Sequence, residues 1–343
     1  MHILVPVYHA NEVPLLIHAG ADWLYTEWIP WWNGKSDKRV PPPTHSISAL
    51  FAPSKLEELE GIVQGAHRAN ARLFLKLAAS YYSAASHLDL LSLLDQALQT
   101  GVDGFIFSDW GVLPVLTKLE RSVSLIAGPE VYLGNVQALR LLSAAGASHV
   151  VLTPRLSLAE MARVVASGPS QLNYGCLIFN GPFGHCFYDP GLCNTVHAGK
   201  NLCDWDLEWV VCTYMTEGPD LNYDQVCQLK ETQYWHRQWL NPFSYFAAHM
   251  TDWRDSGCGL CALPFLTARS SISFLQVGGE HHEFPRRLRA TALVRKAYNL
   301  AAQGAEPAQV RETFRASQPH GELCDLTYRC LYPDALVPPS ASI

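Results

Sequence analysis

Charge is scarce in this chain. Asp, Glu, Lys and Arg make up only 16% of its 343 residues, and acidic side chains outnumber basic ones to leave a formal net charge of −6. A dedicated nucleic-acid surface is normally basic, so nucleic acid is a disfavoured partner, though not an excluded one, and a local Arg or Lys can still hold a small anionic ligand. The opening residues, MHILVPVYHANEV, have no basic region followed by a long apolar one, so no secretory signal is expected. No uninterrupted run of about 18 apolar residues occurs, so no membrane span is expected either. There is no Gly-x-Gly-x-x-Gly turn, phosphate-binding loop, serine nucleophile elbow or His-Glu-x-x-His. These absences argue against a dinucleotide site, a P-loop enzyme, a serine hydrolase and a zinc peptidase of the common kinds. Internal repeats and low-complexity tracts are missing too. The expectation is a cytoplasmic globular protein, in a compartment where thiols stay reduced and structural disulfides are rare.

What the chain does have is apolar residues, 48% of the total, enough to build a large core. They fall into short runs alternating with helix-like segments. HILVPV (2–7), DWLYTEW (22–28), ARLFLKLA (71–78), GFIFSD (104–109), SVSLIAG (122–128), HVVLTP (149–154) and CLIFNG (176–181) read as strands. Helical patterns lie between them, among them 56–70, 87–101 and 156–167. Continuously apolar strands that each feed a helix indicate a parallel sheet covered by helices. About seven such units in roughly 180 residues favour a TIM-like (β/α) barrel over an open sheet. Residues 1–181 are read as the main part of the barrel and 182–270 as a Cys-rich insertion. Residues 271–343 supply a last strand (LQVGG, after Phe274), a helix at 286–304 and a tail that close the same domain. The stretch 29–55, with Pro and paired Trp, reads as a long loop over the barrel mouth.

In a barrel of this kind, functional groups come from the C-terminal ends of the strands. Asp109 and Glu130, which end or just follow strands, are therefore the catalytic candidates, with Glu27 in a similar place. Asp22 reads as a structural residue at a strand start. The HHE cluster at 281–283 and Arg286, Arg287 and Arg289 read as solvated or capping groups. Trp28, Trp31 and Trp32 suit either an aromatic-ligand cover or a packed lid.

Ten cysteines in a reducing compartment need another explanation. Cys186, Cys193 and Cys203 fall within twenty residues, and a further pair, Cys258 and Cys261, stands in CGLC. Clustered thiolates are soft ligands that suit zinc or an iron–sulfur cluster. An isolated cysteine, by contrast, behaves as a small hydrophobe. Cys324 and Cys330 read as structural, and Cys176, Cys212 and Cys227 as spares.

Several blocks, taken in order, resemble the collagenase-like peptidase family U32, including its ubiquinone-biosynthesis members. They are AGADWLYTE (19–27), TGVDGFIFSDWGVL (100–113), GPEVYLGNVQALRLLSAAGASHVVLTPRLSLAEM (128–161), CFYDPGLC (186–193), AGKNLC (198–203) and GLCALPFL (259–266). The resemblance implies a [4Fe–4S] cluster held by Cys186, Cys193, Cys203 and Cys261, with Cys258 competing for the fourth place. It implies oxygen-independent hydroxylation of a small aromatic, quinone-precursor-like substrate, alone or with a heteromeric family partner. A non-catalytic accessory subunit with a structural cluster and a peptidase are the alternatives. The chain departs from the family where "KIEGR" is usual: QVGGE (276–280) lacks the Lys and the Arg. Glu130 stands in place of the Gln of "StQ", and the family's "rEL" Glu falls near Pro154–Arg155.

Overall fold

The computed structural model describes residues 1–28, 52–77, 82, 87–119, 123–179, 196–197, 200–201, 257–269, 271–279, 282–315, 324 and 330–336. Eight strands form a closed, all-parallel barrel. They are β1 (His2–Pro6), β2 (Trp23–Glu27), β3 (Arg72–Leu77), β4 (Gly104–Phe107), β5 (Ser124–Ala127), β6 (His149–Leu152), β7 (Asn173–Phe179) and β8 (Ile272–Val277), and β8 closes the circle between β7 and β1. The helices that follow in chain order are α1 (Val13–His18), α2 (Leu56–Arg68), α3 (His87–Thr100), α4 (Leu113–Leu116), α5 (Val136–Ala144), α6 (Leu158–Ser167), α7 (Leu263–Arg269), α8 (Phe284–Ala302) and α9 (Pro307–Arg315). The expected TIM-like (β/α) barrel is the fold that forms.

The strands are apolar on both faces because both faces are covered. In β2 even Thr26 and Glu27 are buried. One apolar layer fills the space between strands and helices, and a second fills the barrel itself with Leu4, Trp23, Tyr25, Phe74, Ile106, Ile126, Val151 and Phe274. The helices pack by one face: α2 buries Leu59, Ile62, Val63 and Ala66 at three-to-four spacing. Its start is fixed by the Glu58 carboxylate, which accepts from the amides of Ser54 and Lys55. Ser157 and Glu160 make the equivalent capping box on α6.

Two clamps, the first of them buried, tie α8 to the beginning of the chain. Arg287 of α8 donates to both carboxylate oxygens of Glu12, at 3.0 and 2.8 Å, and to the carbonyl of Pro6 at 2.9 Å. It is therefore a buried structural group, and the solvated helix face expected there is corrected at this position. Asp22 accepts from the amide of Ile3 at 2.8 Å and pairs with Arg295 of α8, which is the structural role expected of it. His282 is also buried and Glu283 is exposed at the start of α8, while His281 lies outside the described residues. Two strands begin earlier than their apolar runs suggest. β7 starts at Asn173 and β8 at Ile272: Gly175 and Phe274 are register neighbours on these adjacent strands, the ring covers the glycine, and the apolar pattern breaks there. α9 was not anticipated. Among the described residues no helix is long and apolar enough to cross a membrane.

Candidate functional site

Side chains alternate in and out along a strand. The positions that share a face with Tyr25, Phe74, Ile106 and Phe274 point into the barrel, and two residues further on they reach its C-terminal mouth. Those positions are Glu27, Lys76, Ser108 and Gln276. The register places Glu27 beside Lys76, and all four side chains are buried.

The mouth is organised around Lys76. Its Nζ lies 3.1 Å from Glu130 Oε1, with the lysine 1% and the glutamate 16% exposed. Ser108 Oγ donates to Glu130 Oε2 at 3.3 Å. Glu130 reaches back over the mouth because residue 128 is glycine: a Cβ there would stand 2.6 Å from Glu130 Oε2. Tyr25 donates to the carbonyl of Val277 at 3.0 Å and seals the β2 side. Gln276 Oε1 is buried and, among the described residues, accepts no hydrogen bond, an acceptor of the kind found where a ligand donor completes the set. A buried ammonium paired with one carboxylate and next in register to another, with a hydroxyl on the pair and an amide on the same inward face, can bind an anionic substituent or move a proton. Burial of such a charge is costly away from a functional or pairing role.

Of the two catalytic candidates, Glu130 belongs to this set. Asp109 is occupied by the backbone: its two oxygens accept from the amides of Gly111, at 2.8 Å, and Tyr82, at 3.0 Å, and it caps the turn at Trp110–Val112. Lys76 and Gln276 were not foreseen. The signal for them was a polar residue at an inward position of an otherwise apolar strand.

Cys186, Cys193, Cys203, Cys212 and Cys227, and with them Trp31 and Trp32, lie outside the described residues; Trp28 is buried behind β2. Cys176 is fully buried in β7, and burial pushes its thiol up to about 12, so it is an inert core residue. Cys258 and Cys261 are half-buried. They sit in a turn fastened to the C-terminal end of β7: Cys258 bridges Phe179, and the Gly259 amide donates to the carbonyl of Ile178 at 2.9 Å. The thiol donors suit a soft metal or cluster. Among the described residues no three His, Cys, Asp or Glu side chains are prearranged to hold a metal ion. A shallow groove between α1 and α8, lined by Leu15, His18, Leu288 and Arg295, lies on the outer helical layer, away from the mouth.

The molecule is thus a (β/α)8 barrel with its polar set at the C-terminal face, the end where barrel enzymes carry their chemistry. Residues 47–198, somewhat under half of the chain, match the family model described as peptidase family U32. No curated protein sequence matches. Among solved structures, the chain is similar to the U32 peptidase Mk0906, at 15% identity over 52% of this chain and 68% of that one, with a TM-score of 0.40. It is also similar to thiamine phosphate pyrophosphorylase from Pyrococcus furiosus, at 10% identity over 88% and 96% of the two chains, with a TM-score of 0.43. For the tryptophan synthase alpha subunit from Legionella pneumophila the values are 9%, 89%, 93% and 0.41.

Proposed function

We propose that the chain is an iron–sulfur protein of the U32 type that acts in oxygen-independent hydroxylation of a small aromatic molecule, alone or as one subunit of a heteromeric complex. The observation that carries this reading is a shared face. The Cys258–Cys261 turn is fastened to the C-terminal end of β7, and the Lys76–Glu130 pair lies at the same end of the barrel, between β3 and the turn after β5. The stretch matching the U32 model includes Cys186 and Cys193, which with Cys203 and Cys261 are the resemblance-derived ligands of a [4Fe–4S] cluster. A bound cluster would supply electron transfer.

The chain's own residues would do the rest. Lys76 holds an anionic group of the substrate, such as a ring carboxylate, in place of Glu130. Glu130, held by Ser108, then has a free lone pair to take the proton released when a ring C–H bond gives way to C–O. Gln276 Oε1 receives a donor from the substrate. If water is the oxygen source, two electrons and two protons leave for each ring hydroxylated, which calls for an electron acceptor, and an iron–sulfur centre suits that task.

The accessory-subunit reading has one observation in its favour. Gln276 stands where the family resemblance expects the Lys of "KIEGR", so the mouth has one cation fewer than that pattern supplies. The peptidase reading lacks an activated nucleophile or a zinc motif in the sequence.

The deciding experiment is strictly anaerobic purification, alone and with co-purifying partners, followed by iron and sulfide quantitation, an absorbance spectrum and an assay for hydroxylated aromatic acids. About four irons and four sulfides per chain, with turnover that needs Lys76 and Glu130, are expected. Iron with no turnover until a partner is restored selects the accessory subunit. Protein kept anaerobic that holds no iron overturns the proposal.

A further inference from the structure

Cys258 is joined to a second segment of the chain. It forms a parallel bridge with Cys330, and the amide of Leu331 donates to its carbonyl at 2.9 Å. Tyr332 completes the attachment: its ring lies where a Cβ on Gly259 would stand 3.0 Å away, and its hydroxyl donates to the carbonyl of Leu177 at 2.8 Å. Glycine at 259 is therefore what lets the tail come so close to the turn. Cys324 is drawn to the same place by Arg311 of α9, which donates to its carbonyl at 2.9 Å.

These contacts bring two cysteine pairs to one end of the barrel, one in a Cys-x2-Cys turn and one in a Cys-x5-Cys segment more than sixty residues on. Cys261 feels the other three: after burial, the strongest influences raising its thiol pKa are Cys258, Cys330 and Cys324, and Arg311 alone opposes them. None of the four is in a disulfide. All four are half-buried, unlike Cys176, which fills core space. Cysteine used merely as a small hydrophobe favours the fully buried setting. The spacing of the first pair is that of a metal knuckle, and the collected thiols would repel one another once ionised unless a cation lay among them.

We infer that Cys258, Cys261, Cys324 and Cys330 form a four-thiolate metal site that staples the C-terminal tail to the end of β7. The ligand chemistry is four soft sulfurs, which takes a single Zn2+ or a [4Fe–4S] cluster. The four thiols are not prearranged, so the site would close as the metal binds, drawing Cys261 and Cys324 onto the bridged Cys258 and Cys330. This reassigns Cys261. It becomes a partner of the tail, and the upstream trio Cys186, Cys193 and Cys203 takes any fourth ligand from elsewhere. Cys324 and Cys330, read from the sequence as structural, become ligands.

The test compares the wild-type chain with Cys324→Ser/Cys330→Ser and with Cys186→Ser/Cys193→Ser, all purified anaerobically. Zinc, iron and sulfide are counted per chain, with circular dichroism as the check on folding. The tail variant is expected to lose about one zinc or about four irons that the upstream variant retains. Tail-variant metal equal to wild type overturns the inference, whatever the upstream variant does. Iron lost only from the upstream variant, with the tail variant intact, sinks this site and leaves the proposed function standing; zinc lost from the tail variant in a chain without iron does the reverse. Should the tail variant fail to fold, Co2+ is titrated into metal-free wild type and into Cys258→Ser. Charge-transfer and d–d bands of a tetrahedral cobalt thiolate are expected in wild type and weakened in the variant. Identical spectra overturn the inference.

Discussion

Lys76 Nζ lies 3.1 Å from Glu130 Oε1, and the burial of the two partners is unequal: the lysine is almost completely enclosed, whereas the glutamate keeps some contact with solvent. Removing either partner still leaves a buried charge behind, Lys76 in one case and Glu27 in the other. Glu130→Gln leaves an ammonium inside the barrel with Glu27, its register neighbour, as the remaining carboxylate. Breaking a buried pair in this way costs about 3–5 kcal/mol when nothing replaces the lost charge, and Glu27 reduces that. Lys76→Met leaves Glu130 able to turn toward water but also leaves Glu27, 1% exposed, without its neighbouring cation, so it too is expected to cost about 3–5 kcal/mol. Urea unfolding of both variants, and of Glu27→Gln/Glu130→Gln, measures the order. The double variant is expected to be the least stable, since it leaves the buried ammonium with neither carboxylate, and a Lys76→Met chain as stable as wild type would mean that Lys76 is a mere surface cation.

A second pair closes the barrel from outside. Arg287 meets Glu12 through two hydrogen bonds, and both side chains are buried. The guanidinium also lies 4.8 Å from the centre of the Tyr8 ring. Glu12→Gln and Arg287→Met are each expected to cost about 3–5 kcal/mol, because each strands a charge. The double variant is expected to recover part of that loss, since no charge is left unpaired. A double-mutant cycle by chemical denaturation checks this, and additive losses would mean that the two residues act independently.

The barrel was legible because its strands are apolar throughout and each is followed by an amphipathic helix. Glu130 was legible as an acid just past a strand end. Lys76 was not, since ARLFLKLA reads as one apolar run, and only the inward face shared by Phe74 and Lys76 marks the lysine as part of the mouth. Asp109 shows the opposite error. A carboxylate at a strand end met the rule for a catalytic residue, yet both its oxygens are taken by loop amides. Arg287 was read as solvated because helix periodicity says nothing of Glu12, which lies 275 residues away. The meeting of Cys258 with Cys330 was hidden for the same reason: it depends on a tertiary bridge and on Tyr332, and no local pattern records either.

Gly175 offers a test of packing inside the barrel. It lies on β7 opposite Phe274, and a Cβ would stand 2.3 Å from the ring's Cζ. The contact is with a ring held by the Trp23 and His149 rings, at 5.6 and 5.9 Å between centroids, so it cannot swing freely away. Gly175→Ala is expected to cost about 1–3 kcal/mol by overpacking. Phe274→Leu in the same chain makes room and is expected to return part of that loss. Thermal unfolding of the single and double variants measures it, and a Gly175→Ala chain as stable as wild type would mean that the ring has space to move.

His149 makes stability depend on pH. It is buried at the N-terminal end of the barrel against Trp23 and Phe274. Burial, followed by the nearby positive charge of Arg72 and by His2, lowers its pKa from the ordinary 6.5 to about 4. The folded protein thus holds the imidazole neutral while the unfolded chain protonates it. Between those two values the unfolded state binds more protons, so unfolding becomes easier as pH falls. This contribution is fully present above pH 6.5 and disappears as pH falls through about 4; its size is on the order of 2 kcal/mol. Replacing the imidazole with a neutral amide in His149→Gln removes the titration but not the side-chain volume. Urea midpoints at neutral and mildly acidic pH are expected to converge for the variant, less stable at neutral pH, while wild type loses stability across the same interval. A wild-type protein and a His149→Gln variant with parallel pH profiles would show that His149 is protonated in the fold as readily as out of it.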